Sequence, residues 1–446
     1  MKNKILFSCG LLLGCHSLAT NATQQESSGF LEDSTVSVLN RTVYDYRNYR
    51  HGDTNSAARN KYKLKSHRND YAEEWGYGLM TKFESGFTQG TLGVGMDAFG
   101  FFGLKLDSGG GRAGKSRLLA VKNDGHVRSS FERFGAAGKL RFSSTVIKYG
   151  IQQLKTPIFS TSDSRLLPES ATGWLVTSQE IRPLILQLGH FTAAADRNAS
   201  SSTNDLVINY ANPAMKKGKS FDFVGGNYAL TDQFNLLSYV GRYQNNWYTY
   251  YIGSGYRLPL NETQAIKFDF NLYHSKDYGN ANAGKISNTT WSFMTSYVVS
   301  YHQFSIGYQR VNSDTPFDYV SRGAIWLNNA AQLSDFNAPH ERSWQLAYQL
   351  DLAIWDLNGA LFNIAYIKGD HIDGTRMSKQ SAYYWLGYGK NGQHWERDIS
   401  LQYKVSEGFA KDLKISLRYD VHRANRAQAE LNTDQIRVAV EYPLVW

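Results

Sequence analysis

Period-two alternation of apolar and polar side chains, sustained to the last residue, most limits what this chain can fold into. Within residues 435–446, Ile436, Val438, Val440, Tyr442, Leu444 and Trp446 share one parity, while Gln435, Arg437 and Glu441 share the other. Successive side chains of a strand point to opposite faces, so this segment is a strand with one apolar and one polar face. A strand that meets lipid on one side and water on the other carries this pattern.

The pattern recurs along the chain. Ile266, Phe268, Phe270 and Leu272 alternate with Lys267, Asp269 and Asn271; Leu413, Ile415, Leu417 and Tyr419 alternate with Lys414, Ser416, Arg418 and Asp420. Roughly eighteen such segments, each of about nine to fourteen residues, have the length of a tilted membrane strand. The expected spans are 34–48, 72–87, 91–105, 131–143, 145–153, 172–180, 184–192, 220–230 and 233–244. The second half gives 246–257, 264–275, 289–300, 302–311, 341–352, 358–368, 396–405, 412–423 and 433–446. Long links such as 49–71, 106–130, 154–171, 193–219, 312–340 and 369–395 alternate with short turns. The fold class expected is therefore all-β, a transmembrane antiparallel barrel of about 18 strands. A soluble sandwich also alternates, but its strands are shorter. Tyr248, Tyr250, Tyr251, Tyr256, Tyr297, Tyr301, Tyr383, Tyr384 and Trp385 are placed near strand ends, as interfacial girdles would be.

At the other terminus, Lys2 and Lys4 precede the apolar run 5–13 and a stretch of small residues. This reads as a secretory signal over 1–22, cleaved after Ala19 or Ala22, with the barrel over 23–446. Both cysteines, Cys9 and Cys15, lie in that signal; a lipoprotein-type box at Leu12-Leu13-Gly14-Cys15 competes with ordinary cleavage. The net charge of +9 falls by two when Lys2 and Lys4 are removed. An exported basic chain is expected to meet anionic lipid headgroups or anionic solutes rather than nucleic acid.

Several stretches resemble the OprD family of substrate-specific outer-membrane porins: GFLEDS at 29–34, KFESGFTQGTLGVGMDAFGFFGLKLDSGGG at 82–111, TPIFSTSDSRLLPES at 156–170 with SQEI at 178–181, SDFNAPHERSWQL at 334–346, and EYPL at 441–444. The resemblance implies an eighteen-stranded barrel in the outer membrane, a narrow pore and diffusion of small, mostly carboxylate-bearing nutrients.

Loop 154–171 carries Leu166 and Leu167, which suit a loop folded inward against the barrel wall. In the family this loop lines the constriction, so the resemblance makes Asp163, Ser164, Arg165 and Glu169 the eyelet candidates. Lumen parity gathers Arg41, Lys82, Arg133, Lys139, Arg141, Lys148, Lys267, Lys404, Lys414, Arg418 and Arg437. The resemblance assigns such residues to a basic ladder for carboxylates, which a guanidinium suits because its planar fork stays charged at any working pH. The ladder is thin: Ser416 interrupts it between Lys414 and Arg418, and Glu84, Asp269, Asp351, Asp398 and Asp420 share the lumen. Tyr442 and Trp446 form the terminal aromatic signal that the barrel assembly machinery reads in outer-membrane barrels.

Arg59, Lys61, Lys63, Lys65 and Arg68 lie in the first long link, where lipopolysaccharide phosphates are one candidate partner and plain solvent another. No cofactor and no metal are expected; His371 beside Asp370 and Asp373 offers metal-ligand types, but three such residues in a Gly-rich turn are more often plain polar loop. The alternatives are an outer-membrane barrel enzyme of lipase or protease type, which here lacks a Gly-x-Ser-x-Gly elbow, and a porin for uncharged oligosaccharides. A monomer is expected ahead of a trimer.

Overall fold

Antiparallel neighbours taken in chain order need only turns between them, and the chain uses that route around a closed sheet. The computed structural model describes residues 23–212 and 218–446, so the expected signal 1–22, with Cys9 and Cys15, lies outside the described residues. The strands are β1 (Thr35–Tyr49), β2 (Tyr71–Glu84), β3 (Leu92–Asp107), β4 (Ser130–Phe142), β5 (Thr145–Gln152), β6 (Ser170–Ser178), β7 (Leu184–Ala195), β8 (Phe221–Ala229) and β9 (Phe234–Tyr243). They continue as β10 (Trp247–Pro259), β11 (Gln264–Asp277), β12 (Ser287–Val299), β13 (His302–Asn312), β14 (Arg342–Asp351), β15 (Ala360–Asp373), β16 (Lys390–Lys404), β17 (Lys414–Ala424) and β18 (Thr433–Val445). All belong to one 18-stranded sheet that β18 closes against β1.

The seam runs from Tyr49 opposite Thr433 to Ser37 opposite Val445. Beyond it the Val36 N–H donates to the Trp446 carbonyl at 3.0 Å, and the Trp446 N–H donates to the Val36 carbonyl at 2.9 Å. The terminal residue therefore supplies the last rung of closure, and its indole is exposed. Deleting Trp446 is expected to lower membrane-inserted yield several-fold. An unchanged heat-modifiable band on a gel would count against that role.

Outward parity is apolar around the circumference. Val94, Phe134, Leu188, Val224, Ile252, Ile306, Leu346, Leu417 and Ile436 are all exposed large hydrophobics. In water a belt of this extent would drive aggregation, and lipid removes that cost.

The inner face departs from the sequence expectation. On β8 to β11 it is aromatic: Phe221, Phe223, Tyr239, Tyr243, Trp247, Tyr251 and Tyr273 are buried. Inward-turning loops cover them, with Phe159 bridging Val320 and Ile208 bridging Val320. Loops 108–129, 153–169, 196–212 and 313–341 all contribute buried side chains to the interior, where one inward loop was anticipated. Tyr251 and Tyr383, expected in an interfacial girdle, are instead packed in this inner cluster. Tyr251 has lumen parity, opposite Tyr239 and Tyr273, and Tyr383 is carried in on the loop after β15.

Two strands are longer than the alternation suggested. β15 continues to Asp373, with pairing shifts between Gly369, Ile372 and Asp373, and β16 starts at Lys390. Glycines 369, 389 and 392 and the bulge interrupt the period, which made much of this region read as loop.

Candidate functional site

The candidate constriction is loop 153–169, which folds into the barrel. Its Leu166 and Leu167 are fully buried among Val43, Met80, Phe101, Leu118 and Leu119, inside the barrel. Burying a leucine contributes about 1.5–3 kcal/mol, so this pair anchors the second half of the loop, as Leu154, Ile158 and Phe159 anchor the first. The wall accommodates the loop through glycines of β2. A Cβ on Gly78 would stand 3.0 Å from the Leu166 carbonyl oxygen, and one on Gly76 would stand 2.7 Å from Leu166 Cδ2. Only a residue without a side chain permits that approach.

With the leucines anchored, the preceding residues face the seam between β1 and β18. Arg41 of β1 donates to both carboxylate oxygens of Asp163, at 2.6 and 3.1 Å, and through Nε to Glu441 at 2.7 Å. It also donates to the Arg165 carbonyl at 2.9 Å. Arg437 of β18 holds the buried Asp45 at 2.5 Å and donates to the Ser164 carbonyl at 3.2 Å. The Ser164 hydroxyl accepts from Arg197 Nη1 at 2.8 Å, and Arg165 Nε donates to the Ser116 carbonyl at 2.9 Å. Asp163 and Ser164 stay exposed at the tip. Bidentate, charge-assisted bonds of this kind fix geometry as well as supply energy.

Positive charge gathers at the tip. Burial, followed by the charges of Arg437, Arg197 and Arg47, holds the Arg165 guanidinium well below the ordinary arginine range, with Asp45 opposing. Arginine does not deprotonate in proteins, so the shift registers a buried charge with like charges beside it. Burial and then Arg322 bring Arg117 down to about 10, with Asp196 opposing. Asp196 is the local counter-ion: burial would raise its carboxyl, but Arg322, 2.8 Å away, and Arg117 hold it low. Around the loop the guanidiniums of Arg41, Arg47, Arg117, Arg165, Arg197, Arg322 and Arg437 outnumber the carboxylates of Asp45, Asp163, Asp196, Glu169 and Glu441.

Glu169, an eyelet candidate by resemblance, sits away from open solvent. It is buried, and its Oε2 accepts from the backbone N–H groups of Ser162 at 2.7 Å and Arg322 at 3.0 Å and from the Ser321 hydroxyl at 3.0 Å. Burial first, then the charge of Asp196, pushes its carboxyl up, while the Ser162 N–H and the charges of Arg197 and Arg322 pull it down. Its geometry fastens loop 153–169 to loop 313–341.

The ladder candidates separate into distinct environments. Arg41 and Arg437 meet the loop tip, and Arg418 is registered opposite Arg437 while pairing with Asp420 at 3.1 Å. Lys414 lies opposite Glu441 at 3.8 Å, which places it about 13 Å along β17 from Arg418. Lys139 and Lys148 share Asp97, the former at 2.6 Å. Lys82 bonds the Gln153 side chain at 2.5 Å, and Arg141 bonds Gln24 at 2.9 Å and stacks over Phe87 at 4.2 Å. Arg133 is buried beside Phe101 and donates to the Pro168 and Asp196 carbonyls, a brace for the loops. Lys404 is 59% exposed and pairs with Asp412 at a turn.

Sequence reasoning missed Arg47, Arg117, Asp196, Arg197 and Arg322. Arg47 shares lumen parity with Arg41 and was available from the alternation. The others come from loops, whose inward course no periodicity reports. His371, weighed for metal binding, is exposed beside Asp370, away from the constriction.

A family model described as outer membrane porin, OprD family, matches residues 28–446. The chain is 40% identical over 431 residues to Porin D of Pseudomonas aeruginosa, covering 94% of this chain and 93% of that protein. It is 29% identical over 423 residues to the porin-like protein GalP of Pseudomonas putida, covering 94% of each. Among solved structures, OprD of Pseudomonas aeruginosa superposes with a TM-score of 0.81 at 38% identity, over 95% of this chain and 98% of that one. OpdK of the same organism, solved with vanillate, superposes with a TM-score of 0.82 at 30% identity, over 94% and 100% of the two chains.

Proposed function

Because the chain belongs to the OprD family of outer membrane porins, we propose that it conducts small carboxylate-bearing solutes past the tip of loop 153–169. The observation that carries this reading is the convergence of Arg197, at 2.8 Å, and Arg437, at 3.2 Å, on the exposed Ser164 beside Arg165. A passing carboxylate relieves their mutual repulsion and finds planar forks to bond. The attraction stays modest: a contact pair at 4 Å is worth about 1 kcal/mol in bulk water and about 4 kcal/mol at an effective dielectric of 20. Binding in that range draws a solute in without trapping it, as conduction requires. Arg418 and then Lys414 offer successive stations along β17, with Ser416 as the gap between them. OpdK was solved with vanillate, itself a carboxylate, which supports the same solute class here.

The basic group Lys61, Lys63 and Lys65, on an outer loop, is suited to lipopolysaccharide phosphates, and a single closed sheet is suited to a monomer. Swelling of liposomes that contain the purified protein tests the solute class. Benzoate-sized and aliphatic monocarboxylates are expected to enter faster than neutral sugars of similar size. Faster entry of an uncharged oligosaccharide would overturn the assignment.

A further inference from the structure

On the inner face near the long-loop end, His394 of β16 and His422 of β17 converge with Glu430 of loop 425–432. His394 Nδ1 lies 2.9 Å from His422 Nε2, His422 Nε2 lies 3.2 Å from Glu430 Oε2, and His394 Nδ1 lies 3.6 Å from the same oxygen.

The outward nitrogen of each ring is already committed. His394 Nε2 is 2.5 Å from Glu341 Oε1, and His422 Nδ1 is 2.9 Å from the Leu431 carbonyl. Both partners are acceptors, so each of these nitrogens carries a proton, and the two remaining nitrogens face each other and the Glu430 carboxylate. Glu430 Oε2 is buried and accepts no well-aligned hydrogen bond. The three ligand atoms lie within 4.8 Å of one another, a group able to hold a cation in place of the proton shared between the rings.

Tetrahedral zinc with bonds of about 2.0–2.2 Å sets its donors about 3.3–3.6 Å apart; the two separations to Glu430 match this, and the 2.9 Å between the rings has to open by a few tenths of an ångström. Two imidazoles and a carboxylate suit Zn2+, whereas Ca2+ and Mg2+ prefer oxygen alone. The surroundings are those of a built site. Glu341 orients His394 as a carboxylate does behind a metal-bound imidazole. Phe336 stacks on the His394 ring at 4.2 Å, and a Cβ on Gly369 would meet Glu341 Oε1 at 2.1 Å. A cleft of about 1080 Å³, lined in part by His51, Asp53, Lys65, His394 and Glu430, gives an ion a path in.

We propose that His394, His422 and Glu430 bind one Zn2+ ion, with Glu341 as the orienting residue and the fourth position open to water. The ion ties loop 425–432 to the wall and, through Glu341, braces the base of loop 313–341.

The test uses the full, untagged mature protein in detergent, stripped with EDTA and desalted, then titrated calorimetrically with ZnCl2. One saturable equivalent is expected, and Co2+ in its place should give visible bands of tetrahedral intensity. His422→Gln should weaken binding about 100-fold or more, and Glu341→Gln about 10–100-fold. His190→Gln, altering an exposed histidine on β7, should leave it unchanged. Should His422→Gln fail to give heat-modifiable barrel, Glu430→Gln on the loop removes a ligand without touching the wall. No saturable binding by folded wild type, or binding that both ligand variants retain, overturns the proposal. The titration involves no solute passage, so its outcome is independent of the transport reading.

Discussion

Replacing Leu166 and Leu167 together with alanine should leave the barrel folded but release the 161–169 half of loop 153–169 from the wall. Both side chains are fully buried against Val43, Met80, Phe101 and the paired leucines 118 and 119. Each Leu→Ala change in such a site costs about 2–5 kcal/mol. That loss falls on the 161–169 half of the loop, whose other attachments are polar: Arg41 to Asp163, Arg437 to the Ser164 carbonyl, and Glu169 to loop 313–341; Leu154, Ile158 and Phe159 still seat the other half in the inner aromatic cluster. Those bonds exchange with water once the apolar seat is gone. Single-channel conductance should therefore rise several-fold, with frequent switching between levels as the loop moves. Heat-modified mobility should persist, because the 18-stranded ladder is untouched. Unchanged conductance with a folded barrel would show that the loop does not set the narrowest point.

The second large effect concerns charge. Arg41→Ala combined with Arg437→Ala removes the guanidiniums that neutralise Asp163, Glu441 and Asp45. Asp45 is buried, and stranding such a partner costs about 3–5 kcal/mol. Arg47, at 3.2 Å, and the Gln435 amide, at 2.5 Å, remain beside it, so the cost belongs at the lower end. Asp163 is half-exposed and rehydrates. The excess of positive charge around the loop then disappears, and the reversal potential in a salt gradient should fall toward zero. A variant that keeps the wild-type ion preference would show that Arg117, Arg165 and Arg197 set the potential without the seam pair.

The barrel was legible because its cause is local: a two-faced strand must alternate, and a break in alternation marks a turn. The closing strand illustrates this, since Ile436 is exposed outward and Arg437 is inward against Asp45. Legibility failed where cause is not local. Tyr251 looks like a girdle aromatic until loops 153–169 and 313–341 are seen to cover it, with Phe221 and Phe223, from within. Arg322 carries no periodic signal, and its value as a partner of Asp196 arises from two loops meeting. His394 fell in a stretch read as loop, because the bulge near Ile372 and Gly392 broke the period of β15 and β16. Its neighbour His422 is 28 residues away in sequence, beyond any short ligand spacing. The leucines of the constriction loop were the exception: an apolar pair in a polar link has to be buried somewhere, and the inner wall was the nearest apolar surface.

The most direct measurement is the reversal potential of the wild-type channel in a planar bilayer under a KCl gradient. An excess of guanidiniums around Ser164 predicts a potential of the sign set by chloride, diminishing as salt screens the exposed charges. A potential of the sign set by potassium would contradict it.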